Sequence, residues 1–219
     1  MANLQDYAYN TILTEILALK LTPGERIQEQ SIMDHLNISR TPVREAILRL
    51  KMNNLMRTVP QSGTYVTKIS LTSALNARFV RQNVEKSIVF EACDIMSAEN
   101  ILDCETIIDK QKLAAKNHDV DVFFNLDNDF HKSFYSISHR GEIWEWIHAI
   151  SLQLNRYRYL RLKNTQLPWK LLITQHSDIL AAVKNHNGPQ AEKLAFDHLR
   201  LMLDEKSTLV TQFPDYFED

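Results

Sequence analysis

Four side chains in the C-terminal half of the chain are of types that bind divalent metal ions. Asp127 and His131 stand four residues apart in "LDNDFH", which places both on one face of a helix, one turn apart. His176 in "QHSDIL" and His198 in "FDHLR" would come from two later helices. One carboxylate and three imidazoles suit Zn²⁺, Ni²⁺, Mn²⁺ or Fe²⁺, and a six-coordinate ion would keep positions open for another ligand. From spacing alone, Asp127 and His131 also fit an ordinary surface ion pair.

The acids near these histidines narrow the possibilities. Asp129 also lies inside the motif, but it is two residues from His131 and therefore on another helical face, so we expect Asp127 to be the ligand. A metal-dependent hydrolase would need a positioned general base, and no glutamate of the HExxH type accompanies these histidines. Hydrolysis is therefore the less favoured alternative.

A second candidate for chemistry is the basic segment "SRTPVREAILRL", residues 39–50. Between residues 39 and 68 only Glu45 opposes the arginines and lysines, so this stretch carries a net charge of +5. The whole chain has a formal net charge of −2, which leaves −7 for the remainder. A local basic patch on an acidic body suits contacts with phosphate, although a solvated helix face is the alternative reading.

The elements that would position this segment are short helices followed by a hairpin. Apolar residues near a 3.6 period predict helices over 9–19 and 29–36, with Asn37 as a left-handed cap. Thr41 is expected to cap a third helix with Pro42 at its first position, and Val43 is the first residue of its inner face. Strand-forming residues on both sides of "QSG" at 61–63 predict a hairpin. Three helices and a hairpin make a winged helix-turn-helix.

The rest of the chain predicts helices only. The helical patterns run through 71–116 and then over 120–138, 143–162, 169–185 and 189–208. Six or so antiparallel helices would form a bundle whose core can hold a ligand. The chain is therefore expected to be mostly α, with a winged helix-turn-helix domain at 1–69 and a helical domain, whose core could hold a ligand, at 70–219.

Composition supports a globular helical protein. The 219 residues include only 4 Gly and 6 Pro, and 44% are hydrophobic. The two cysteines, Cys93 and Cys104, are expected to be buried free thiols rather than a disulfide or a zinc site. The N-terminal residues lack a basic region followed by an apolar run, and no stretch is apolar enough to cross a membrane, so the expected location is the cytoplasm.

The N-terminal third resembles the DNA-binding domain of the GntR family of bacterial transcription regulators. The resemblance is carried by the Pro-Gly-Glu turn, "SRTPVREAI-RL", the "NNL" helix exit and the Ser-Gly wing, all at the family's spacing. It implies that Arg40, Thr41 and Arg44 reach base edges or neighbouring phosphates in the major groove of operator DNA, and that Ser39 and Arg49 contact the DNA backbone. It also implies that Gly63 lets the wing tip approach the minor groove. Arginine forks match guanine and phosphate, which agrees with these roles. For Arg49, an ion pair with Glu45 is the alternative.

The C-terminal part resembles the FCD ligand-sensing domain of FadR-type GntR regulators. Metal-containing FCD domains carry Asp-x-x-x-His followed by two more histidines, which here are Asp127, His131, His176 and His198. Arg81 and Glu85 match an Arg-x-x-x-Glu motif, and "NRYRYLRL" matches an arginine-rich middle helix. The chain departs from the family at "SHRGEIW", where a turn of small residues with Asn-Pro is usual.

The resemblance implies a regulator, expected to be a repressor, that binds a palindromic operator as a homodimer formed through the bundle. A small organic acid would coordinate the metal, pair with Arg81 and change the relative placement of the two DNA-binding domains. A purely structural metal, in a regulator that binds no small molecule, is the alternative.

Overall fold

A computed structural model describes residues 3–218, so Met1, Ala2 and Asp219, at the outer ends of the two expected domains, lie outside the described residues. Within that range the chain forms ten α-helices and three short strands. In order they are α1 (Leu4–Leu17), β1 (Arg26–Ile27), α2 (Glu29–Leu36), α3 (Arg40–Met52), β2 (Met56–Val59), β3 (Gly63–Val66), α4 (Leu71–Ile95), α5 (Ala98–Asn117), α6 (Val120–Ile137), α7 (Gly141–Ile150), α8 (Leu152–Lys163), α9 (Trp169–Lys184) and α10 (Gly188–Gln212). The mostly α fold, with a winged helix-turn-helix before a helical domain, is confirmed. No helix among these residues combines the length and apolar character needed to cross a membrane.

The N-terminal elements pack around one small core. Its buried side chains come from α1, α2, α3 and the sheet, and α3 contributes Val43, Ala46, Ile47 and Leu50 as expected. Asn37 adopts the left-handed conformation at the end of α2, with φ 51° and ψ 47°. The expected start of α3 was wrong: the N-cap is Ser39, so Thr41 lies inside the helix. Pro42 still falls in the first turn, where its missing N–H loses no helical hydrogen bond.

The wing is a three-stranded antiparallel sheet with the order β1-β3-β2. Val59 pairs with Gly63, so the turn between them is tight. Gly63 has a φ of 136°, and a Cβ built there would lie 2.9 Å from Nε of Arg26. The positive φ at position 63 therefore favours glycine for a reason that is independent of any approach to DNA.

The C-terminal helices form an antiparallel bundle around a large core. The two longest helices, α4 and α10, make the most extensive contact between elements, and α5, α6, α8 and α9 surround them. The expected single helix over 143–162 was wrong, because Ser151 divides it into α7 and α8. The Ser151 hydroxyl donates to the carbonyl of Ile147. The backbone N–H of Ser151 donates to the carbonyl of His148 and not to that of Ile147, its acceptor in a regular α-helix. Cys93 and Cys104 are buried free thiols.

The segment that joins the domains is held from two sides. Arg156 of α8 is fully buried, and its guanidinium donates to the carbonyls of Thr67, at 2.6 Å, and Lys68, at 3.4 Å. On the other side, Ile69 pairs with Phe217 in a parallel bridge just beyond the end of α10. Residues 67–69 are therefore fastened both to α8 and to the segment that follows α10.

The cores of the two parts are not fully separate. Ala18 and Leu19, at the end of α1, belong to the core of the bundle, and Leu152 of α8 packs on the N-terminal core. Gln153 of α8 also donates to the carbonyl of Asn54, at 3.1 Å. Helix α8 is thus one of the elements through which the bundle contacts the winged helix.

Candidate functional site

Helix α6 places two of the candidate metal ligands on its buried face. Asp119 caps the helix by accepting from the backbone N–H of Val122, and the buried positions then recur at helical spacing. Asp127 and His131 fall in this buried stripe, whereas Asp129 points to solvent. The phenylalanines of the stripe pack in the core and fix the rotation of α6 about its axis.

Three helices bring three imidazoles together inside the bundle. His131 comes from α6, His176 from α9 and His198 from α10, and all three are buried. Nε2 of His198 lies 3.3 Å from Nε2 of His131 and 3.3 Å from Nε2 of His176. Asp127 completes the group, with Oδ2 3.8 Å from His131 Nε2 and Oδ1 3.6 Å from His176 Nε2. One ligand atom from each histidine lies within 4.8 Å of the others, close enough for a single ion.

The other ring nitrogen of each histidine faces an oxygen acceptor. Nδ1 of His131 contacts Glu85 of α4, and the remaining pairs are His176 Nδ1 with Gln111 Oε1 at 2.9 Å and His198 Nδ1 with Gln175 Oε1 at 2.8 Å. These acceptors favour a proton on every Nδ1, which leaves three Nε2 lone pairs directed at one another. Such lone pairs repel unless a cation lies between them, so the donor set fits a divalent metal ion.

Electrostatics favour the protonation states that metal ligands need. Burial lowers the pKa of His176 to about 3 and holds the pKa of His198 well below its ordinary value. Burial alone would raise the pKa of Asp127, but Arg158 and the surrounding imidazoles outweigh it and hold that pKa far below the usual range. Neutral imidazoles and an ionised carboxylate are the forms that bind metals.

A cavity of about 80 Å³ opens beside three of these side chains, namely Asp127, His131 and His198. It lies between α4, α6, α8, α9 and α10, and leucines and Met202 form its apolar wall. Its polar lining includes four arginines: Arg78, Arg81, Arg158 and Arg161. A buried cavity with this many guanidinium groups is suited to an anion.

Arg81, the predicted effector contact, lies in this cavity and is 2% exposed. Its Nε donates to Glu85 at 3.0 Å, and Trp144 lies beneath the guanidinium at 5.8 Å. Its Nη2 is buried without a hydrogen-bond partner. Because Glu85 also contacts His131, Arg81 is joined to the histidine cluster through a single carboxylate.

Sequence reasoning missed most of the residues that support the site. Arg158 forms an ion pair with Asp127, and Gln111 and Gln175 orient two of the imidazoles. The arginine-rich segment "NRYRYLRL" was a usable signal, since a helix with three arginines had to place some of them inside the bundle. No spacing rule could have connected Gln111 to a histidine 65 residues later. Arg140, in the unusual "SHRGEIW" turn, is exposed, pairs with Glu91 and does not line the cavity.

The basic segment places its residues on two different faces of α3. Arg40 and Arg44 are exposed, and both approach Glu29 of α2, with Nε–Oε2 distances of 3.8 Å and 3.0 Å. Ser39 and Thr41 are exposed beside them at the start of the helix. These four residues form one continuous surface whose positive charge is partly neutralised by Glu29.

Arg49 lies apart from that surface. Its guanidinium stacks over the ring of Tyr9 at 3.9 Å and pairs with Asp6 of α1 at 2.7 Å. The alternative reading of Arg49, an ion pair with Glu45, is therefore replaced by an ion pair with Asp6. Arg49 connects α3 to α1, which Asn53 also does by donating to the hydroxyl of Tyr9.

Two domain families match the chain over nearly its full length. The FCD domain matches residues 77–201, and the gntR family of bacterial regulatory proteins matches residues 4–66. The HTH-type transcriptional repressor RspR of Escherichia coli (strain K12) is 28% identical over 211 residues, a match that covers 96% of this chain and 92% of that protein. A transcriptional regulator from Streptomyces ambofaciens, named for an unstable DNA locus, is 29% identical over 206 residues, covering 92% and 84% of the two chains.

Solved structures share the same architecture. E. coli McbR/YncC superposes with a TM-score of 0.79 at 20% identity, covering 97% of this chain and 100% of that one. A protein of Rhodococcus sp. RHA1 described as a GntR transcriptional regulator gives a TM-score of 0.76 at 18% identity, covering 94% and 97%. At these identities the likeness is one of fold, and the two domain matches carry the assignment. This chain therefore belongs to the GntR family of bacterial transcription regulators and carries an FCD domain of the FadR type.

Proposed function

We propose that this regulator is a repressor whose affinity for a palindromic operator is controlled by a small carboxylate bound next to a divalent metal ion in the bundle. One observation carries the proposal: three imidazole Nε2 atoms converge at the edge of a cavity lined by four arginines. His131, His176, His198 and Asp127 would hold the ion, which supplies an electrophilic centre for a carboxylate oxygen. Arg81, whose Nη2 lacks a partner, would bind the same acid with its guanidinium.

A hydrolytic enzyme fits the same geometry less well. The acid behind His131 is Glu85, which already accepts from Arg81 and Tyr135. Although burial alone would raise it, Arg81 and His131 hold the pKa of Glu85 far below its ordinary value. A carboxylate so strongly stabilised in its ionised form is a poor general base. A purely structural metal remains the second candidate, since Asp127 and three histidines could close a tetrahedral site.

The path from cavity to DNA runs through α8 and α10. Both helices line the cavity, and α8 fastens residues 67–68 through Arg156 while the segment after α10 fastens Ile69. A ligand that shifts either helix would therefore move the segment that carries the winged helix. We propose that this movement changes the spacing between the two recognition helices of a dimer.

The dimer is proposed to form through α4 and α7, which pack side by side. Phe79 of α4 is 61% exposed and Trp146 of α7 is 60% exposed, and each has an exposed apolar neighbour on its helix, Val80 and Ile150 respectively. Large apolar side chains on adjoining helices are typical of the core of a homodimer interface.

The DNA surface can be tested at Arg44. With an operator selected from a random oligonucleotide pool, Arg44→Ala should weaken operator binding by about 1–3 kcal/mol and random-sequence binding much less, because a base-reading arginine carries sequence information. Glu29→Gln is the opposite change: it frees Arg40 and Arg44 and should strengthen binding to random DNA. Equal losses on both DNAs for Arg44→Ala would reduce that residue to a phosphate contact.

The metal site can be tested at His176. Elemental analysis should show loss of the metal in His176→Ala, since the remaining side chains cannot hold the same geometry, and the melting temperature should become insensitive to a chelator. Gln111→Leu should weaken metal affinity about 10–100-fold by removing the partner of His176 Nδ1. Asp129→Asn, an exposed change in the same motif, is the control and should retain the metal. Stoichiometric metal in His176→Ala would show that the ligand set is wrong, and loss of metal with an unchanged acid response would favour a structural ion.

The coupling can be tested at Arg156. Arg156→Met removes the hydrogen bonds to Thr67 and Lys68, so it should keep the metal and the acid but reduce the change in operator affinity that the acid produces. Lys163→Met, an exposed change on the same helix, should behave like the parent. Operator titrations with and without the acid measure the effect, and an undiminished response in Arg156→Met would contradict the proposed path.

The dimer can be tested by sedimentation. Trp146→Glu and Phe79→Glu should each give a monomer at micromolar concentration, because a buried unpaired carboxylate opposes association. Leu102→Glu, on an exposed part of α5, should leave the dimer intact. A dimer that survives both changes but dissociates in Leu102→Glu would place the interface on α5.

A further inference from the structure

The arginines of the cavity are arranged at two distances from the histidine cluster. We call the end of the cavity next to the histidines the metal side. Arg81 is connected to it because its partner Glu85 contacts His131. Arg158 is connected to it by its ion pair with Asp127. Arg78 precedes Arg81 by three residues on α4, in the direction away from Glu85. Since an α-helix rises 1.5 Å per residue, Arg78 lies about 4.5 Å farther from the metal side.

Helices α8 and α10 also carry cavity-lining charges displaced along the helix from the metal side, by different distances. Arg161 follows Arg158 by three residues, about 4.5 Å along the helix axis, and pairs with Glu205. Glu205 follows His198 by seven residues, about two turns along α10. Three helices therefore place one group, consisting of Arg78, Arg161 and Glu205, at the end of the cavity away from the histidines. We refer to this group as the outer cluster.

The outer cluster has unused hydrogen-bond donors. Arg161 donates to both oxygens of Glu205 at 2.9 Å, yet its Nη1 is buried and has no partner. Arg78 donates to Gln82 through Nη1 at 2.6 Å, and its Nε is likewise buried and unpartnered. Arg78 is 9% exposed and Arg161 is 5% exposed. Two buried guanidinium groups at one end of a cavity, each with a free N–H, are suited to a ligand oxygen.

The net positive charge of the cavity lining is better compensated by a ligand with two carboxylates than by a ligand with one. Four arginines line it against two carboxylates, Asp127 and Glu205, and Glu85 lies behind Arg81. These seven groups leave one uncompensated positive charge before any metal ion is counted, and a divalent ion would leave three. A monocarboxylate would leave the outer cluster positive.

Building on the proposed function, we infer that the effector is a dicarboxylate of four or five carbons, with one carboxylate on the metal side and the other on Arg78 and Arg161. The separation of about 4.5 Å between the two levels matches the distance between the ends of such an acid. The cavity of about 80 Å³ has room for roughly five to eight water-sized groups, and succinate has about eight non-hydrogen atoms. The outer cluster then determines specificity, whereas Arg81 and the metal determine whether an acid binds at all.

The test compares succinate with butyrate, which has the same length and one carboxylate fewer. Calorimetric titration of the full-length, metal-loaded protein should show succinate binding at least about tenfold more tightly, the effect of an added charge-assisted contact. Arg78→Gln should bring the two affinities to within about twofold while leaving that of butyrate unchanged. Arg161→Lys should show the same selective loss and provides a second reading if Arg78→Gln does not fold. Arg81→Lys should weaken the binding of both acids. Arg200→Gln, an exposed change outside the cavity lining, should keep the preference for succinate.

Each other result overturns a different part of the inference. Equal affinities of the parent for succinate and butyrate would contradict a role for the second carboxylate but would still support the binding of an acid. A preference for succinate that survives in both Arg78→Gln and Arg161→Lys would show that the outer cluster does not bind it. Failure of both acids to bind the parent would overturn the carboxylate effector itself, and the dicarboxylate with it.

Discussion

The structure depends on the burial of an arginine-rich helix in the middle of the bundle. Arginine keeps its charge in proteins, so every guanidinium that α8 carries inward needs an acceptor. Arg156 donates to backbone carbonyls between the domains, Arg158 pairs with Asp127, and Arg161 pairs with Glu205. These three partners belong to the interdomain segment, the histidine cluster and the far end of the cavity. One electrostatic requirement thus connects the interdomain segment with the two ends of the cavity.

This requirement explains how a highly polar site can lie inside a protein core. A cluster of imidazoles and arginines would normally be unstable away from water, but here Arg81, Arg158 and Arg161 each pair with a carboxylate. Each imidazole also has an acceptor on Nδ1. What stays unpaired are a few guanidinium N–H groups at the cavity. These donors are suited to an anion, and in the proposed function the pairing of the remaining groups would let a bound ligand act on α8 as a whole.

Several features could be predicted from local patterns. The bounds of α2, the left-handed Asn37 and the burial of Val43 and its partners follow from periodicity and caps, which depend on residues a few positions apart. The break at Ser151 could not be predicted in this way, because the apolar pattern continues across it. The ion-pair partner of Arg49 could not be predicted for a related reason, since Asp6 is 43 residues away in the sequence.

By itself, the sequence determined the fold class, the family motifs and the four side chains suited to a metal, since residue type and short spacing are local properties. Only the tertiary structure decided which nitrogen of each histidine is free, because that depends on acceptors from α4, α5 and α9. It also decided that Glu29 partly neutralises the basic segment and that four arginines line one cavity beside the histidines. These properties arise from distances between helices that are far apart along the chain, and such distances are set by packing of the whole core rather than by any local pattern.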